Sequence, residues 1–396
     1  VWKKQGWAVM LSVTGKSSAD AGVLKIDFNA AILAVDELLR PEPLDEFVSA
    51  GFIDLQVNGF AGVDYNDPGS SREAIAHSIR KMFTTGVTRF LATIITGPEQ
   101  RIVAAIENLV AAKHTFAQAG MPEAEALAGL HIEGPHLSPE DGPRGAHPLE
   151  HIRPPSVAEF NRWQEVADGN IRLITVSPEW PGIPEYINAI VRQGVVASIG
   201  HTKASSDQIK AAVDAGATMS THLGNAAHAA LHKTRNYIWD QLAQERLSAS
   251  FIVDGIHIPP SFLHSAVRAK GLERSVLVTD AVMPAMCEPG LYKLGQLEVE
   301  LRPNGSVVLR DGERLAGSAL RMDAAIANTV RLAAVSLSQA LAMATTNAAR
   351  VGRIAGRQRG LVPGEKADLV RFTWNPDRFS LNVIETIVAG ISVHKA

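Results

Sequence analysis

Gln56 and Asn58 close the apolar run GFIDLQVNG two residues apart, so on a strand they share one face. Other apolar runs end in a similar way, on groups that bind metals or move protons. LAGLHIEG carries His131 and Glu133, SIGHT ends at His201 and STHLGN at His222; DGIH ends at His257 and VTDA at Asp280. One such residue means little, because a histidine at a strand end is more often an ordinary core or surface group, and an aspartate there often caps the next helix. Together they suggest a shared site. A carboxylate and two imidazoles suffice to hold a catalytic zinc with a position left open. An ion there would lower the pKa of a bound water to about 7. A nearby aspartate could take that water's proton and pass it to a leaving nitrogen. His257 or His147 could donate to an oxygen on which negative charge develops.

Such a site needs elements that bring distant strand ends to one place. From Gly51 onward apolar runs alternate with amphipathic stretches, and eight runs read as strands: FIDLQVN, VTRFLATII, LAGLHIEG, IRLITVS, VVASIGH, TMSTHLG, SASFIVDGIH and SVLVTDA. Eight strands with intervening helices predict a (β/α)8 barrel, whose strand C-termini converge on one face. A doubly wound open sheet is the alternative, but no glycine-rich phosphate turn follows the first strand. The ends of the chain read differently. GVLKIDF, AAILAV and the tail from GEKADLV to GISV have strand patterning, which predicts a small β-sandwich module formed by the N- and C-terminal segments. The expected division is residues 1–50 and 366–396 for that module and 51–365 for the barrel, with a β-hairpin insertion near 295–312 turning at Asn304-Gly305.

Bulk properties fit. The 396 residues are 46% hydrophobic and 20% charged, as in a globular protein with a large core. A net charge of −3 offers nothing to nucleic acid or an anionic membrane surface. Cys287 is the single cysteine, so no internal disulfide framework exists and a reducing compartment suits the chain. VWKKQGWAVM lacks the apolar core of a signal peptide, and no run is long enough to span a bilayer. The expectation is a cytoplasmic enzyme.

The stretches SAGFIDLQVNGFAGVDYND, HIEGPHLSPEDGPRGAHP, SIGHTKAS, THLGNAA, DGIH, LVTDAVMPA, LAGSAL and LVPGEKADLV follow one another over nearly the whole chain. In this order they resemble the amidohydrolase superfamily, and within it the N-acetylglucosamine-6-phosphate deacetylase family. The resemblance implies that the usual first-strand histidine pair has become Gln-x-Asn, leaving one metal position. It implies that Glu133, His201 and His222 hold a single divalent ion, zinc or iron, with Gln56 in support. Asp280 would be the general base and acid. His147 and His257 would contact the sugar, Asn225 and Ala226 the phosphate, and the Leu315 segment the acetyl group. A homodimer is implied as well.

One segment departs from the family. After THL this chain reads GNAAHAALHKTRNYIWDQLA, without the Tyr-Asn-Ala-Met and later arginine of the deacetylases. Lys233 and Arg235 either decorate a solvated loop or replace the phosphate clamp, and His228 and His232 are extra. His136 stands where an aromatic is expected and could reshape the pocket. The function expected is hydrolysis of the N-acetyl amide of an amino sugar, its 6-phosphate before others. The alternatives are an amidohydrolase of an unphosphorylated N-acetyl amino sugar, an N-acyl amino acid or a cyclic amide, and a barrel without catalysis.

Overall fold

A computed structural model describes residues 10–396 except 21, 40, 41, 43, 295, 296, 311 and 313. The stretch weighed as a signal peptide, residues 1–10, thus lies almost wholly outside the described residues, as do residues 295, 296 and 311 of the expected hairpin. The eight expected strands form one sheet: β1 (Phe52–Val57), β2 (Val87–Ile95), β3 (Leu127–Glu133), β4 (Ile171–Val176), β5 (Val196–Ile199), β6 (Met219–Ser220), β7 (Ser248–Ile252) and β8 (Ser275–Val278). They pair in sequence order and in parallel, which excludes the doubly wound alternative. At the end of β1 and just past β8 a parallel bridge joins Val57 to Ala281. The Asn58 amide donates to the Ala281 carbonyl (2.7 Å) and the Asp280 amide to the Gln56 carbonyl (3.0 Å), so the sheet curls shut at its top. All six residues of β1 are buried, as a strand with packed side chains on both faces requires.

Three of the helices between the strands begin on serine caps, Ser71, Ser156 and Ser205. Ser71 Oγ accepts from the Ala74 amide, and Ser205 with Gln208 forms a full capping box at Ser206–Asp214. Among the described residues no helix is long and apolar enough to cross a membrane.

The two ends of the chain meet in a separate seven-stranded sheet. Strand Leu369–Asn375 pairs antiparallel with Glu46–Ala50, and strands Leu11–Lys16, Val23–Phe28 and Ile32–Glu37 extend that sheet on one side. Ile26, Phe28, Ile32, Val48 and Leu369 form its own apolar core. A buried ion cluster ties this sheet to the barrel floor. Asp368 accepts from Arg89 Nε at 2.7 Å and also pairs with Arg357, whose Nη2 donates to the Gly51 carbonyl at 2.7 Å.

The insertion is larger than the expected hairpin. Strands Gly290–Leu294, Leu297–Leu301, Ser306–Leu309 and Leu315–Ser318 make a four-stranded antiparallel sheet. The turn does fall at Asn304-Gly305, where Gly305 has φ +85° and Asn304 Oδ1 accepts from the Ser306 amide. The LAGS segment escaped notice as a strand because it is short and its partners are distant: it pairs with Ser306–Leu309 on one edge and bridges to Ala281 on the other.

Candidate metal-dependent active site

Glu133 is the last residue of β3, and its Oε1 lies 3.0 Å from His222 Nε2 and 3.3 Å from His201 Nε2. The two Nε2 atoms are 3.2 Å apart. Ligand atoms about 2.0–2.1 Å from a tetrahedral zinc are about 3.3–3.4 Å from one another, so this triangle has the size such an ion needs. Donor chemistry agrees at His201, where Nδ1 is 3.0 Å from the Pro143 carbonyl oxygen and donates to it, which turns the Nε2 lone pair inward. His222 Nδ1 is buried without a partner among the described residues. His147 is a rival third donor, with a ring nitrogen within 4.8 Å of the ligand atoms of Glu133 and His201. His222 is nearer to Glu133, however, at 3.0 Å.

The backbone turns sharply to make this cluster. His201, His222 and Asp280 each stand two residues past a strand end, with φ of +50°, +28° and +51°. Non-glycine residues rarely adopt positive φ, and each such position costs on the order of 1–3 kcal/mol. These three surround the Glu133 carboxylate.

Asp280 faces Glu133 across two carboxamides. Gln56 Nε2 donates to Glu133 Oε1 (2.9 Å) and to Asp280 Oδ1 (3.1 Å), while Asn58 Nδ2 donates to the same Asp280 oxygen at 2.6 Å. Oδ2 of Asp280 has no hydrogen-bond partner among the described residues, and Asp280 lines the cavity. Burial and then the Glu133 charge push its pKa up to about 6, against the pull of His222, His257 and Asn58. Burial works against ionisation of Glu133 too, but the hydrogen bonds and charges of His201 and His222 outweigh it and hold this carboxyl well below its ordinary value. Asp54, one turn of the pleat below Gln56, braces the far side by accepting from Thr279 Oγ1 at 2.6 Å.

The cluster opens into a cavity of about 660 Å³, lined in part by His147, His257, Asn225, Ala226 and Leu315. Burial, followed by the charge of His201, pushes His147 down to about 3, so its ring is neutral. His257 does not end a strand as the sequence suggested. Strand β7 stops at Ile252, and Asp254 Oδ1 then accepts the amides of Ile256 and His257 in a tight turn. Asp254 Oδ2 also accepts a hydrogen bond from His257 Nδ1 at 2.6 Å, leaving Nε2 for the cavity. At the opposite rim Gly224 and Ala226 have φ of +100° and +48°, and the amides of Ala226 and Ala227 make no hydrogen bond among the described residues. Successive N–H groups in such a turn form a concavity suited to an anion.

Other candidates fall elsewhere. His131 shares a face with Glu133 but lies deeper in the barrel, 2.8 Å from Thr175 Oγ1, with its pKa pushed by burial down to about 4. Lys233 and Arg235 are exposed and do not line the cavity. His228 bonds Tyr237 and reaches Glu140 (3.4 Å), joining two loops at the rim. His136 is buried behind the wall, stacked on Trp163 at 5.7 Å, so it leaves the cavity shape untouched. Sequence reasoning missed Thr96, Asp141, Asp254 and Arg314. Asp254 had a visible signal, its i,i+3 spacing to His257; the others touch the site only through the tertiary fold.

Residues 47–393 match the Amidohydrolase family. N-acetylglucosamine-6-phosphate deacetylase of Bacillus subtilis (strain 168) is 34% identical over 328 residues, covering 83% of this chain and 81% of that protein. N-acetylgalactosamine-6-phosphate deacetylase of Escherichia coli O157:H7 is 33% identical over 327 residues, with 82% and 83% covered. Among solved structures, a mutant N-acetyl-D-glucosamine-6-phosphate deacetylase from Mycobacterium smegmatis in complex with N-acetyl-D-glucosamine-6-phosphate superimposes with a TM-score of 0.85 at 27% identity, over 98% of this chain and 100% of that one. The match over most of the chain fits the barrel, the terminal sheet and the Glu-His-His cluster described above: this chain belongs to the amidohydrolase family, alongside its amino-sugar 6-phosphate deacetylases.

Proposed function

We propose that the protein is a metal-dependent deacetylase that hydrolyses the N-acetyl amide of an amino sugar 6-phosphate, N-acetylglucosamine 6-phosphate foremost, to acetate and the free amine. The observation that carries this reading is the triangle of Glu133, His201 and His222, 3.0–3.3 Å on each side, with the Asp280 carboxylate beside it and a roomy cavity in front. A divalent ion held by Glu133, His201 and His222 would supply Lewis acidity toward the amide carbonyl and toward water near neutral pH. Zinc suits the donor set, with iron as the alternative.

The chain's own residues carry the remaining work. Asp280 takes the proton of the attacking water at Oδ2, because both carboxamides donate to Oδ1 and hold the group in place. It then returns that proton to the leaving nitrogen. Gln56 supports from beneath as a donor to both carboxylates. His147 and His257, each fixed through Nδ1, offer their other nitrogen to the sugar or the amide oxygen. Leu315 packs beside the acetyl group, and Ala226 and Ala227 receive the phosphate at their backbone amides, while Asn225 shapes that turn by donating its own amide to the His222 carbonyl. Lys233 and Arg235 stand outside this scheme because they do not reach the cavity of their own chain.

The test is acetate release from the zinc-loaded protein with N-acetylglucosamine 6-phosphate, its galactose epimer, both unphosphorylated sugars and an N-acetyl amino acid. Turnover of the amino acid alone would replace this reading with the alternative amidohydrolase. A folded, metal-free, inactive protein would favour the barrel without catalysis. Two further expectations belong to the proposal: a homodimer, testable by sedimentation, and a cytoplasmic location, which the single Cys287 suits.

A further inference from the structure

We propose that Arg314, supplied by the insertion sheet of the same chain, is the cation that selects a phosphorylated substrate over a neutral one. This rests on the amino-sugar reading of the cavity and names the group that sets its preference. Among the described residues that line the cavity, Arg314 is the only lysine or arginine. It immediately precedes the strand Leu315–Ser318, so the side chain that would pack on the acetyl group and the one that would meet the anion are neighbours in sequence.

Its guanidinium is held at two points on a single loop. Nη1 donates to the Gly145 carbonyl at 3.1 Å and Nη2 to Asp141 Oδ1 at 3.0 Å. That loop lies against the rim carrying the free amides. A Cβ built on Gly142 would sit 3.2 Å from the Ala227 carbonyl oxygen, and one on Gly145 would sit 3.9 Å from the Ala226 Cβ. The cation and the concavity at Ala226 and Ala227 therefore share one end of the cavity. A guanidinium has five N–H donors; two are spent on the loop, and the others remain for a phosphoryl group.

Charge at this rim favours an anion. Asp141 also pairs with Arg144 at 3.2 Å, and Arg144 donates to the His147 carbonyl, so one carboxylate is shared by two guanidiniums. The nearby Glu140 is occupied by Lys203 and faces His228. A phosphate dianion placed between Arg314 and the Ala226 and Ala227 amides gains charge-assisted hydrogen bonds. A neutral hydroxyl gains far less, because the guanidinium is already solvated and paired.

The competing role for Arg314 is mechanical: it fastens the insertion sheet to the 141–145 loop. Steady-state kinetics of the zinc-loaded full chain separate the two, with N-acetylglucosamine and its 6-phosphate as substrates. In Arg314→Ala the preference for the phosphorylated sugar, read as the ratio of kcat/KM values, falls roughly 10- to 100-fold, as loss of a charged hydrogen-bond partner predicts. Arg314→Lys recovers part of it. Asp141→Asn keeps an oxygen for both guanidiniums while removing the negative charge, and lowers the KM of the phosphorylated sugar. An unchanged ratio in Arg314→Ala, with both substrates losing equally or neither losing at all, overturns the proposal. If the wild type cleaves neither sugar, the activity reading falls by itself. Calorimetric binding of glucosamine 6-phosphate then still decides Arg314: a loss of roughly tenfold or more in Arg314→Ala upholds it, and equal affinity removes it.

Discussion

The floor of the cavity and its rim are built on different principles. At the floor, Glu133, His201, His222 and Asp280 are buried, set on or just beyond parallel strands, and locked by Gln56, Asn58 and the Pro143 carbonyl. At the rim, Asp141, His228 and Arg314 are partly or largely solvated and come from loops and an inserted sheet; Arg314 pairs with Asp141, and His228 reaches Glu140. Buried groups in a low-dielectric setting interact strongly and tolerate little change, whereas exposed pairs contribute little each. The floor should therefore fix the reaction, and the rim should fix which molecule undergoes it.

The strongest test of that division is removal of the ion. Dialysis against a chelator, or Glu133→Gln, should lower activity by at least about a thousandfold, the several kcal/mol expected of a Lewis acid. Metal analysis should show the variant depleted, and added zinc should restore the dialysed wild type but not the variant. Next, Asp280→Asn should lose about 10²–10⁴ in kcat, the range for a general base, while keeping its metal. Full activity in that variant would remove Asp280 from the reaction. A rim substitution with an equally large effect on kcat would erase the distinction altogether.

The pH profile sharpens the floor further. Asp280 works as a base only when ionised, and burial together with Glu133 holds its pKa at about 6. The folded value is raised, so activity is present above it and falls as pH drops through it. A divalent cation alongside would pull that value down, placing the acid limb of kcat/KM in the loaded enzyme at or below about 6. A limb well above 6 would point to another group. The smallest effect is expected where the rim meets solvent: replacing Lys233 and Arg235 together by alanine should change KM less than about twofold, as for exposed charges with no ion-pair partner among the described residues. A large rise would mean that these residues reach a cavity other than their own chain's.

The same contrast explains what could be read before any coordinates. The barrel was legible because strand periodicity is local and each of the eight runs carries it. The grouping of Glu133, His201 and His222 was legible because barrel topology sends strand ends to one face. His257 shows the limit: its run continues smoothly in sequence, yet Asp254 bends the chain and moves the histidine from strand to loop. Strand β6 is another case, since TMSTHLG reads as a full strand but only Met219 and Ser220 pair as one. The role of Arg314 had no local signature. Its partners Asp141 and Gly145 lie far back in the chain, and nothing in GERLAGS announces them.

Gln56 carries a consequence for anyone wishing to reshape this enzyme. Its side chain stands between two acids and gives a hydrogen to each without being able to gain or lose a charge of its own. The spacing of the two acids is thus insulated from the acidity of the solution in a way no titratable bridge could match. Installing a histidine there to recruit a second ion would trade that constancy for a group whose charge drifts near neutrality, and both acids would have to settle into new positions around it.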